Sequence, residues 1–66
     1  MEVFMTVSQK LTEARKKSGL TVQEVASACG ISPQSVAAYE TGERVPRDSV
    51  KIALAALYGL SVAIFF

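Results

Sequence analysis

A chain of 66 residues is expected to form one domain, near the lower size at which a single apolar core sustains a fold without disulfides or metal. Half of it is hydrophobic, and it has one cysteine, Cys29, and no histidine, which excludes an intrachain disulfide framework and the usual four-ligand zinc site and matches a reducing compartment. The formal net charge of +1 is too small to signal nucleic acid, so the distribution decides: Lys10, Arg15, Lys16 and Lys17 precede a central stretch, and Arg44, Arg47 and Lys51 follow it.

Residues 1–5, MEVFM, fit a flexible tail, a short edge strand, or a leader ahead of a start at Met5. They lack the basic region and long apolar run of a signal peptide, and no run approaches the roughly 18 apolar residues of a membrane span. A cytoplasmic chain with no membrane partner is expected. From Thr6, Val7, Leu11 and Ala14 recur at helical spacing, and Ser18 and Gly19 end a first helix of about three turns. Thr21 with Glu24 completes a capping box, so a second helix carries Val25, Ala26 and Cys29 inward and stops at Gly30.

Ser32 then offers an N-cap and Pro33 the first helical position, where its missing N–H costs nothing. This third helix turns Val36 and Tyr39 inward and ends at Gly42. Pro46 keeps residues 43–47 out of helix. A fourth helix runs from Asp48 or Ser49 through Tyr58, with Val50, Leu54, Leu57 and Tyr58 as its stripe and small alanines allowing close approach. After Gly59, Ser61 can cap a last short turn, and the chain closes on the apolar run VAIFF.

The stretch LTVQEVASACGISPQSVAAYETGERVP resembles the Cro and lambda-repressor-like helix-turn-helix family, often called the Xre family. The family run L-T-Q-E-E-L-A, then G-[IV]-S, then S-x-[IV]-S-x-[YWL]-E-x-G-x-[RK]-x-P has the same order of helix, tight turn, helix and exit loop. Residues 7–65 can be laid along its four or five helices. The resemblance implies an all-α fold with the helix-turn-helix at the second and third helices, and an operator-occupying transcriptional repressor. Double-stranded DNA is then the partner, and no cofactor is implied.

A recognition helix entering the major groove needs a polar or small outer face, and Pro33, Gln34, Ser35 and Ala38 supply one. Gln34 suits an adenine edge, Ser35 a base or phosphate, and Ala37 or Ala38 a thymine methyl. Pro33 stands where the family has a polar residue, and with two alanines following, DNA shape is expected to carry part of the specificity. The start of the second helix, Thr21, Val22 and Gln23, is the candidate phosphate clamp, because helix-start amides and the dipole favour an anion. The family usually has glutamine at the position of Val22. Arg44 matches a family position close to the DNA backbone, with Arg47 and Lys51 adding to it. Arg15 and Glu40 stand where the family has a structural ion pair.

Each site has a plainer alternative: Gln34 and Ser35 as an ordinary exposed helix start, and Lys10, Lys16 and Lys17 as a solvated face. Cys29 reads as a small hydrophobe rather than a nucleophile, and no residue set supports acid–base or nucleophilic catalysis. Ile64, Phe65 and Phe66 either fold back on the first and fourth helices or form a two-fold interface, and residues 60–66 are the candidate dimerisation segment. A homodimer on a palindromic operator is the expected assembly. An antitoxin or adaptor that uses the same fold to hold a protein partner is the alternative function.

Overall fold

A computed structural model describes residues 6–65; the readings of residues 1–5 and of Phe66 lie outside them. Four helices follow in order, α1 (Val7–Ser18), α2 (Val22–Cys29), α3 (Pro33–Thr41) and α4 (Asp48–Tyr58), and a 3₁₀ turn (Val62–Phe65) closes the chain. With no strand among the described residues, the fold is all-α, as expected, and consistent with the lambda-repressor-like arrangement.

Local chemistry explains the boundaries. The Thr21 hydroxyl accepts from the Glu24 amide at 3.1 Å while the Glu24 carboxylate accepts from the Thr21 amide at 2.9 Å. The same reciprocal box starts α1, between Thr6 and Gln9. Ser32 caps α3 by accepting from the Ser35 amide at 3.1 Å, with Pro33 directly after it. Between α2 and α3 the chain reverses through Gly30 at φ 67°, a left-handed conformation costly for any residue with a Cβ. The reversal is short enough to bring α3 across α2.

Leu11, Val25, Val36 and Leu54 form the fully buried centre, one from each helix, with Ala26, Tyr39 and Val50 around them. Each helix contributes at least one of its expected inward residues to this centre, so the burial of the one cluster orients all four. Cys29, Leu57 and Tyr58 sit at its rim, half-buried. Ala14 is also half-buried, in a groove facing the end of the chain rather than the centre. Phe65 packs back against the core cluster, in a groove it shares with Tyr39, Pro46 and Lys51. Exposed large hydrophobics remain at Val45, Ile52 and Val62, which are 81%, 60% and 41% exposed. No described helix is long and apolar enough to cross a membrane.

Burial pushes the Tyr58 phenol up to about 12 from its ordinary 10.0, and the neighbouring Glu40 carboxylate adds to the rise. The folded state holds this proton more tightly than the unfolded chain, so the associated stability is complete below pH 10 and is lost as pH rises toward 12. The thermal midpoint, followed by circular dichroism, is therefore expected to fall across that window less steeply in Tyr58→Phe than in the parent. Parallel curves for the two proteins would refute the assignment.

Candidate nucleic-acid interface

Three segments meet at one guanidinium. Arg15, near the end of α1, donates through Nε to Glu40 Oε2 at 2.8 Å and through Nη1 to the Leu20 carbonyl at 3.0 Å. Thr12 Oγ1 donates to the Ser8 carbonyl at 3.0 Å and lies 3.5 Å from Glu40 Oε1. The two charged side chains are 18% and 10% exposed, so the pair is largely withdrawn from solvent screening. Its hydrogen bond to Glu40 raises the Arg15 pKa against the opposing effect of desolvation. The link ties the last turn of α3 to α1 and to the turn that leads into α2.

At the other end of α3, Pro33, Gln34 and Ala37 are exposed, and Ser35 and Ala38 are half-buried. The Gln34 side chain has no hydrogen bond among the described residues, which leaves its amide free for an external edge. Ser35 differs. Its hydroxyl is 3.0 Å from the Ser32 hydroxyl and accepts a long bond of 3.4 Å from Arg44 Nη1. Arg44 is placed by the exit loop, where its amide donates to the Ala38 carbonyl at 3.3 Å, and its guanidinium carbon lies 5.9 Å from the centroid of the Tyr39 ring. Such a cation over an aromatic face is attracted by the ring's quadrupole. Ser35 thus holds Arg44 as well as facing outward, a pairing across nine residues that no local pattern in the sequence signals.

Arg44 and Arg47 line a common concavity of about 380 Å³ with Ser32, Ser35 and Ser49. Ser32 and Ser49 join the arginines in this lining from the starts of α3 and α4, positions that the sequence expectation for phosphate contact does not include. Arg47 is the N-cap of α4 and makes no side-chain cap bond, so its guanidinium is not committed to its own helix start. Lys51 does not join them. Its side chain is only 13% exposed, with Nζ 3.8 Å from Asp48 Oδ1, and it lines the groove of Phe65 instead.

The start of α2 also departs from expectation in its side chains. The hydroxyl and amide of Thr21 are both taken by the capping box, and the Val22 side chain packs against the core cluster. The Val22 side chain is thus a packing residue, and only its backbone amide is left for the clamp. The amides of Val22 and Gln23, the first two of the helix, have no hydrogen-bond partner among the described residues, as helix geometry requires of its opening N–H groups. Gln23 is exposed. The described residues thus offer an uncommitted side-chain amide at the start of α3, a concavity lined by two arginines, and two open backbone donors at the start of α2.

Residues 7–63 match a protein-family model described as a helix-turn-helix domain. No curated protein matches the chain.

Proposed function

This chain belongs to the helix-turn-helix domain family, whose model spans residues 7–63, and from that premise we propose that it is a sequence-specific DNA-binding regulator of the Cro and lambda-repressor-like kind, repressing by occupying an operator. The observation that carries this reading is the unpartnered Gln34 at the exposed start of α3, in a domain that also presents Arg44 and Arg47 on one concavity and open amides at Val22 and Gln23. Phosphate contacts position a protein and base-edge contacts specify its site. In this proposal α3 enters the major groove with Gln34 on a base edge and Pro33, Ala37 and Ala38 against apolar surface. Arg44, Arg47 and the start of α2 grip the backbone. Ser35 acts mainly by holding Arg44.

A single module of this kind buries roughly 600–1,000 Å² on DNA, which favours pairing on a palindrome with half-sites roughly 34 Å apart. With Phe65 packed on the core cluster and Ile64 lining a groove against α1, the pairing surface is proposed at the exposed Val62 and Ile52. Selection of duplexes from a random pool tests the function, because it returns both the preferred sequence and its spacing. Failure to enrich any sequence at low salt would reject sequence-specific binding. Arg44→Ala is expected to weaken all duplexes alike and to reduce the slope of log K against log salt by about 0.9, the value of one phosphate contact. An unchanged slope would remove Arg44 from the backbone.

A further inference from the structure

We propose that the groove between α1 and the end of the chain is a second docking site, for an acidic amphipathic segment of a partner protein. The groove, about 240 Å³, is lined by Lys10, Glu13, Ala14, Lys17, Leu60 and Ile64. None of these residues belongs to α2, α3 or the exit loop, so an occupant does not compete with the reading face for space.

Lys10, Ala14 and Lys17 follow the i, i+4, i+7 spacing of one helix face, which sets the two lysines about 10.5 Å apart along the axis. Both are exposed, and neither forms an ion pair among the described residues. Arg15 of the same helix, by contrast, is committed to Glu40. Between the lysines the floor is apolar, from Ala14, Leu60 and Ile64, and no charged residue occurs from Ile52 to the end of the sequence. Glu13 is the only acid of the lining, so positive charge is in excess.

Apolar floor and flanking cations together select the occupant. A nucleic acid would satisfy the lysines and leave the floor uncovered; an uncharged apolar chain would do the reverse. A helix with carboxylates one heptad apart and apolar residues between them satisfies both, as in helix-in-groove recognition. A second copy does not supply it, because no two acids of this sequence stand seven positions apart.

The test uses the full chain and a labelled helical peptide with two glutamates seven positions apart framing two leucines, beside the same peptide with lysines for glutamates. The acidic peptide is expected to bind saturably, with amide shifts confined to α1 and the last turn, and the basic one not to bind. Lys10→Gln with Lys17→Gln should weaken binding roughly tenfold while leaving the circular dichroism spectrum unchanged, and a saturating duplex should leave peptide affinity within twofold. Equal binding of the two peptides, no saturable binding of either, shifts centred on α3, or groove shifts that follow protein rather than peptide concentration would each overturn the proposal. Because the peptide is measured without DNA as well as with it, a failure here is separable from a failure of operator binding.

Discussion

Glu40→Ala is expected to destabilise the domain by about 2–3 kcal/mol, because it leaves the Arg15 guanidinium largely buried without its carboxylate. Removing one partner of a fully buried pair costs about 3–5 kcal/mol; the residual 18% exposure of Arg15 places this pair at or below the low end of that range. In a domain of this size each kcal/mol shifts the thermal midpoint by about 4–8 °C, so a fall of roughly 10–20 °C is expected, read by circular dichroism. Arg15→Met combined with Glu40→Leu should recover part of it, since an apolar pair strands no charge. A single variant melting within a degree or two of the parent would show that the pair contributes little. The damage is expected to be more than thermodynamic, because Glu40 also fixes the end of α3 from which Arg44 is carried.

Gln34→Ala is expected to produce the largest change in DNA recognition. A bidentate contact to a base edge is worth about 1–3 kcal/mol of discrimination, so affinity for the selected duplex should drop about tenfold or more, with preference relaxed at one base position. The salt dependence should stay as it was, because no phosphate contact is lost. Ser35→Ala should behave differently, weakening duplexes without sequence bias through the loosened Arg44. Equal affinity of Gln34→Ala and the parent across all sequences would locate base reading elsewhere, or leave it to DNA shape alone.

The elements that were legible in the sequence are those set by short-range chemistry. Thr21 with Glu24, Ser32 with Pro33, and glycine after each helix mark boundaries because caps act within one turn. The Thr6–Gln9 box obeys the same rule, with glutamine in place of glutamate as a quieter signal. Leu11, Val25, Val36 and Leu54 were legible by period. The side-chain destinations were not. Lys51 has a long aliphatic stem that lies along apolar surface, and only the placement of the exit loop and Phe65 decides where its amine ends. Val22 opens α2 on the same side as the core, which no local pattern distinguishes from a solvent-facing start. The Ser35–Arg44 contact depends on the path of the loop after Gly42, and the α1 groove on where the last turn returns.

The double attachment of Arg15, to Glu40 at the end of α3 and to the Leu20 carbonyl just before α2, separates two kinds of heritable change. The placement of α3 against α1 and the turn into α2 depends on residues that hydrogen-bond inside the domain, whereas Gln34 and Ala37 are exposed and carry no structural side-chain bond. Substitutions at those outer positions are expected to leave the packing of the helices undisturbed. On the proposed function, the same scaffold would diverge to new operators in single steps, each intermediate still folded.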